Sequence, residues 1–318
     1  MKLVVYSCIY NESRFLPEML DTLAEEAEGC SVVISDNYST DNSFEIIQSY
    51  ANRFDDFEVI APPQHCTSLE HGSFTLDFLR REYSECSHAV FLGGHDKMGI
   101  GFLQALKNGI SEFPNAAVVY TNTFRIGHKG ELLGQYPNNI NTVGLSKLMV
   151  PPSVLLGITH NSPSSGAMRL STLTSPGRHC CASDHLWLAE LAMTGEVVFR
   201  DGGSLFLRDA PTFVPGWSYY VNKHISKQAL ARGAEYDFAL QLDWLIGILR
   251  TSVDQAGLSS EKNIKAYFSS MIWLYLVRYS EIAIGFPDAK TFMDSPLVNA
   301  ARDHAFELVL VRIRDLLA

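Results

Sequence analysis

Three short polar clusters each follow an apolar run of strand length, and each sets polar or charged side chains at a strand end. Tyr10-Asn11-Glu12 follows the run from Leu3 to Ile9, Asp36-Asn37 follows Ser31 to Ile34, and Gly93-Gly94-His95-Asp96 follows His88 to Leu92. A carboxylate at a strand end, such as Asp36, is well placed to accept from a base N–H or a ribose hydroxyl. Two glycines before His95 let backbone approach a ligand, with the Asp96 carboxylate alongside. The bland alternatives are a turn for Asp36, helix caps for Asp41 and Asp96, and an ordinary hydrogen-bonded ring for His95. Asp184 opens a later helical stretch, where it either caps the helix or accepts a proton. His179-Cys180-Cys181 has no second ligand pair spaced for zinc.

These clusters need a scaffold, and the apolar periodicity describes one. Phe15, Leu16, Met19, Leu20, Leu23 and Ala27 recur at helical spacing after the first strand, with Pro17 in the first turn. Phe44, Ile47, Tyr50, Ala51 and Phe54 mark a second helix behind Asp41, and Phe57 to Ile60 a third strand. A helix from Ser73 to Tyr83, the strand from His88, a helix from Phe102 to Phe113 and a strand from Ala116 to Tyr120 continue the alternation. This βα rhythm predicts an α/β fold with a mostly parallel central sheet covered by helices. Ligands on such sheets bind outside the carboxyl ends of the strands, where the polar clusters lie.

Residues 121–165 read as a long loop or subdomain, and Gly166 to Leu170 as a strand. A helix from Ser183 to Thr194 ends at Gly195, and Glu196 to Arg200 and Ser204 to Leu207 read as two short strands. Helical patterns then dominate at 229–250, 262–284 and 298–317, which puts a boundary near 220 and divides the chain into 1–220 and 221–318.

The net charge of −10, from 25 Lys+Arg against 35 Asp+Glu, argues against a nucleic-acid surface. No apolar run reaches the roughly 18 to 20 residues of a membrane span, and the N-terminus lacks a signal-peptide layout. Six scattered cysteines without a C-x-x-C pair read as free thiols of a reducing compartment. The sequons at Asn11 and Asn37 fall in the expected pocket, where attached sugar would block it. The expectation is a soluble, cytoplasmic protein.

A G-x-G-x-x-G after strand one and a G-x-x-x-x-G-K-[ST] are both missing, against a dinucleotide oxidoreductase or a P-loop enzyme. Instead, Ile9-Tyr10-Asn11-Glu12 and the stretch Val33-Ile34-Ser35-Asp36-Asn37-Tyr38-Ser39-Thr40-Asp41-Asn42-Ser43 resemble the opening of glycosyltransferase family 2, the inverting enzymes of the GT-A fold. Phe91-Leu92-Gly93-Gly94-His95-Asp96 resembles the family's acidic metal- and diphosphate-binding motif, although Gly93, Gly94 and His95 stand where further aspartates are usual. Ala182-Ser183-Asp184-His185-Leu186 resembles the helix start that carries the family's catalytic base, with Ser183 in place of the usual Glu. The resemblance covers roughly residues 1–210.

The resemblance implies a GT-A-type Rossmann-like sandwich and an inverting transfer from a nucleotide-diphosphate sugar, a UDP-sugar favoured, to a sugar or lipid-linked acceptor. It implies Asp184 as base, and Tyr10, Asn11, Glu12, Asp36, Asn37, Gly94, His95, Asp96 and Arg208 around the donor. A divalent ion, Mn²⁺ or Mg²⁺, would sit at Asp96 and His95 with His224, imidazole suiting Mn²⁺ better. Surface polysaccharide or glycoconjugate assembly at the inner face of a membrane is the associated role. The C-terminal helices, with faces such as Trp244, Leu245, Ile248, Leu249 and Trp273, Leu274, Leu276, Val277, are expected to pack on the catalytic domain; dimerisation, acceptor binding or peripheral membrane contact are their other uses. Two competing readings are a nucleotidyltransferase of sugar phosphates and a non-catalytic nucleotide-sugar-binding protein.

Overall fold

The computed structural model describes residues 2–136, 140–157, 162–174, 184–209 and 234–284. In chain order the elements are β1 (Leu3–Ile9), α1 (Leu16–Glu26), β2 (Ser31–Asp36), α2 (Ser43–Ser49), β3 (Phe57–Ile60), α3 (Ser68–Glu82), β4 (His88–Phe91), β5 (Lys97–Met98), α4 (Phe102–Glu112), β6 (Ala116–Ile126), β7 (Leu132–Gln135), α5 (Val150–Gly157), β8 (Ala167–Arg169), α6 (Asp184–Thr194) and β9 (Glu196–Arg208). Two long helices follow, α7 (Ala234–Ala256) and α8 (Glu261–Ile284).

The strands form one sheet of order β3-β2-β1-β4-β8-β6-β9-β5, with β7 paired to β6. From β3 to β4 every pairing is parallel, while β8 runs antiparallel to both β4 and β6, and β6 and β9 are again parallel. The sheet is therefore mixed, with its parallel part where the three polar clusters lie. The apolar run of β1 is continuous because both its faces are covered. Val4 and Tyr6 join the core beneath α3, α6 and α7, whereas Leu3, Val5 and Ile9 join the core beneath α1 and α4. Full burial of each such side chain stabilises by about 1.5 to 3 kcal/mol.

Several elements differ from the periodicity reading. α3 begins at Ser68 rather than Ser73, because Thr67 and Glu70 form a reciprocal capping box ahead of the apolar positions. β6 runs on to Ile126, and β7 and α5 occupy the stretch expected to be loop. The two short strands after α6 are one strand, β9, with a register shift against β6 opposite the Asp201-Gly202-Gly203 stretch. The expected helix at 298–317 lies outside the described residues.

α7 and α8 extend the core of the sheet domain. Trp244, Leu245, Ile248 and Leu249 are buried in the same cluster as Tyr120, Trp187 and Val197. Ser252 Oγ donates to Lys147 O at 2.7 Å and Tyr267 OH to Leu148 O at 3.0 Å. The side chains of Trp273, Leu274, Leu276 and Val277 lie outside the described residues. Among the described residues no helix is long and apolar enough to cross a membrane.

Candidate active site

Parallel register brings the first two clusters together. Ile9 lies opposite Asp36, and Asn37 N donates to Ile9 O at 2.9 Å. The chain leaving β1 is then braced by the chain leaving β2. Asn11 N donates to Ser39 Oγ at 2.9 Å, Glu12 N to Ser43 Oγ at 2.9 Å and Ser13 N to Asp41 Oδ2 at 3.1 Å. Asn11 Oδ1 in turn accepts from Thr40 N at 2.8 Å. The side chains of Ser39, Asp41 and Ser43 thus take up backbone N–H groups that no ladder satisfies. Desolvation would raise the Asp41 pKa, but hydrogen bonds from Ser43 and Ser13 bring it down to about 2. Asp41 sits one residue before the helix cap and ties α2 to the β1 loop rather than serving only as a cap. Asn11 and Tyr38 both take left-handed backbone, at φ 57° and 60°. Asn tolerates this conformation well; Tyr38 adopts it without that advantage.

Asp36 is 6% exposed, and its Oδ2 accepts from Ser39 N at 3.1 Å. Its Oδ1 is buried without a hydrogen-bond partner. A carboxylate oxygen in that condition costs about 1 to 3 kcal/mol, and it calls for a donor from a ligand. Beneath it, His71 Nε2 meets Ser35 Oγ at 2.7 Å, and burial lowers the His71 pKa to about 4, so this ring is neutral. Beside it, Asn37 clamps the loop after β3: Cys66 N donates to Asn37 Oδ1 at 3.0 Å and Asn37 Nδ2 to Cys66 O at 2.8 Å. That clamp presents His65, whose ring lies 4.8 Å from the exposed Tyr10 ring. Sequence reasoning passed over His65, since a lone histidine in a polar loop carries no periodic signal.

The third cluster closes against β9. Asp96 is buried, and Arg208 N donates to its Oδ1 at 2.8 Å. A side chain on Gly93 would place its Cβ 2.4 Å from Asp96 Oδ2, and one on Gly94 would meet Ile9 Cδ1 at 2.7 Å and Glu12 Cγ at 2.9 Å. The two glycines therefore make room for Asp96 and Glu12. His95 Nδ1 lies 3.0 Å from Glu12 Oε1. The Arg208 guanidinium is held by the carbonyls of His95 (2.8 Å) and Gly127 (3.1 Å), by Glu18, and by the Phe15 ring at 4.9 Å. Arg208 thus forms the wall behind Asp96. His224 lies outside the described residues.

Among the described residues, no three His, Cys, Asp or Glu side chains converge on one ion-sized point. Magnesium-like ions are commonly held by one or two carboxylates plus substrate phosphates, so a full protein cage is not required. Burial pushes the Asp96 carboxyl up, and His95 pulls it back. A buried carboxylate in that position gains from a cation, and the Asp96–His95 donor set fits one that arrives with phosphate oxygens.

Asp184 stands on a separate element, half-buried at the first position of α6. Leu186, Trp187, Leu188, Ala189, Leu191, Ala192 and Met193 are buried, so the helix lies within the core with its acidic end at the rim. Trp187 Nε1 donates to Thr174 O at 2.7 Å, which fixes this first turn to the chain after β8. A helix N-terminus favours a charged carboxylate.

Residues 4–66 match the sequence profile described as Glycosyl transferase family 2. Over those residues the chain is similar to glycosyltransferase family 2. That segment spans β1 to the Asn37–Cys66 clamp and so contains both left-handed residues and Asp36. The whole fold is similar to S. aureus TarS 1-349, with 14% identity over 99% of this chain and 83% of that one, at a TM-score of 0.61. It is also similar to GalNAc-T7 in a structure with UDP, GalNAc and Mn²⁺, with 10% identity over 90% of this chain and 58% of that one, at 0.53. At such identities the likeness establishes the GT-A fold beyond the family 2 segment. No curated protein sequence matches the chain.

Proposed function

We propose that this glycosyltransferase moves a sugar, with inversion, from a nucleotide-diphosphate sugar to an acceptor hydroxyl. The observation that carries the reading is the buried, unpaired Oδ1 of Asp36 at the mouth of β1 and β2. In this reading it accepts from an N–H or O–H of a nucleoside, and the paired rings of Tyr10 and His65, on the loops after β1 and β3, offer a face for the base. A uridine diphosphate donor is the favoured case, and TarS-like and GalNAc-T-like folds support a nucleotide sugar in general.

In this reading the diphosphate lies over Gly94, His95 and Asp96. A divalent ion bound there, with His224 as a further ligand, would supply charge neutralisation for the leaving group. Asp184 takes the proton from the acceptor hydroxyl as that oxygen bonds to the anomeric carbon. The bond from that carbon to the β-phosphate oxygen breaks, and its electron pair leaves with the diphosphate. A single displacement from the opposite face inverts the centre. Residues 1–220 serve as the catalytic domain, and 221–318 as a helical region that supports it, since α7 and α8 share its core. The acceptor is a sugar or lipid-linked sugar of surface polysaccharide or glycoconjugate assembly at the cytoplasmic face of a membrane.

The test is calorimetric titration of UDP into the wild type and Asp36→Ala. The variant should bind about 5- to 150-fold more weakly, the equivalent of about 1 to 3 kcal/mol. An unchanged dissociation constant removes Asp36 from the nucleotide site. Slow release of nucleotide from a sugar donor in water separates transferase from a mere binding protein. Formation of a nucleotide sugar from triphosphate and sugar phosphate would instead point to a nucleotidyltransferase.

A further inference from the structure

Resting on the nucleotide-sugar reading, we propose that His65 selects the nucleobase, through a ring nitrogen that the fold holds as a hydrogen-bond acceptor beside Asp36. His65 Nδ1 lies 2.9 Å from the backbone oxygen of Asn37. A carbonyl oxygen only accepts, so Nδ1 carries the proton, and in the neutral ring Nε2 is left as the acceptor. The tautomer is therefore set by the backbone of the residue next to Asp36.

The ring is also held in place. The paired bonds between the Asn37 side chain and the Cys66 backbone anchor the loop one residue after it, at 3.0 and 2.8 Å. Tyr38 OH donates to Pro63 O at 3.2 Å and anchors the same loop two residues before it. The Tyr10 ring, tilted by 42°, backs the imidazole at 4.8 Å. Asp36 contributes an unpaired, buried acceptor at this point, so a ligand with donors is called for independently of the loop.

Two acceptors of different kinds divide the work. A carboxylate oxygen takes the donor that binding requires, while a pre-oriented imidazole acceptor rewards only a base whose next edge atom carries hydrogen or bridges through water. A site built to hydrogen-bond one edge rejects another because its own polar group is left unmatched. His65 is exposed and outside the core, so its removal should leave the fold intact, which the melting temperatures below check.

The experiment is calorimetric titration of UDP, GDP, ADP and CDP into the wild type, His65→Ala and His65→Gln, with thermal melting of each variant. The wild type should prefer one diphosphate by about tenfold or more. In His65→Ala the preferred one should lose about tenfold and the others less than twofold, so that the preference collapses at unchanged melting temperature. His65→Gln, which retains an acceptor, should recover part of the preference. Equal losses for all four would show that His65 merely supports the loop, and an unchanged preference would remove it from the site; either overturns the proposal while leaving the nucleotide reading standing. If none of the four binds the wild type, the nucleotide reading itself fails and takes this one with it.

Discussion

Glu12 and His95 are joined across the ends of β1 and β4, with Oε1 and Nδ1 3.0 Å apart. The carboxylate accepts, so Nδ1 is the protonated nitrogen, and the imidazole is oriented by a residue 83 positions earlier in the chain. Two groups that the sequence presents as separate contacts to the donor therefore act as one unit, packed against Gly94 and next to Asp96.

The first prediction concerns cations at that unit. UDP should bind the wild type about tenfold more tightly with Mn²⁺ than with EDTA. Asp96→Asn should erase the difference, and His95→Ala should reduce it. Calorimetry showing one affinity for wild type with Mn²⁺ and with EDTA would contradict a metal role for this pair.

Asn11 supports the turn twice, by tolerating φ 57° and by accepting from Thr40 N. Asn11→Ala should destabilise by about 1 to 3 kcal/mol, combining left-handed strain with a lost hydrogen bond. Urea unfolding is the check, and a midpoint equal to wild type would mean that the turn relaxes without cost.

Acid should unfold the protein partly through two buried histidines. Burial lowers His71 and His88 each to about 4, against about 6.5 in an unfolded chain. Above about pH 6.5 both states are neutral and the stability is fully present. As pH falls from 6.5 toward 4 the unfolded chain takes up protons first, and up to about 3 kcal/mol per histidine is lost. Melting temperatures should fall across that window and fall less for His71→Gln; a flat profile in wild type would contradict the neutral assignment.

Trp244 is buried in the core shared by α7 and the sheet domain. Trp244→Ala should cost about 3 to 5 kcal/mol in chemical unfolding, at any protein concentration. A stable variant that merely dissociates from a dimer would assign this face to self-association instead.

How much of this was legible in the chain depended on the range of the interactions. The β1 and β3 bounds could be read directly, because Leu3–Ile9 is a largely apolar run ending at Tyr10-Asn11-Glu12 and Phe57–Ile60 is a β-prone stretch between Asp55-Asp56 and Pro62-Pro63. α3 was read five residues short because its start is set by Thr67 and Glu70, which are polar and silent to periodicity. β6 continues through Thr121, Asn122 and Thr123 because pairing with β9, 80 residues away, satisfies backbone that local composition describes as loop. In the site, Asp36 and Asp96 stood out as acids after apolar strands. The Asn37–Cys66 clamp, the Glu12–His95 pair and the enclosure of Arg208 are tertiary bonds between distant residues, and no local pattern announces them.

The central claim is transfer from a nucleotide sugar by single displacement with Asp184 as base. Its most direct test is proton NMR of the donor that binds, incubated with enzyme and water as acceptor, followed before the free sugar mutarotates. The account predicts that the first sugar released has the anomeric configuration opposite to the donor's, and that Asp184→Asn slows its release by about 10² or more at unchanged nucleotide affinity. Release with retained configuration, or at the wild-type rate from Asp184→Asn, would contradict it.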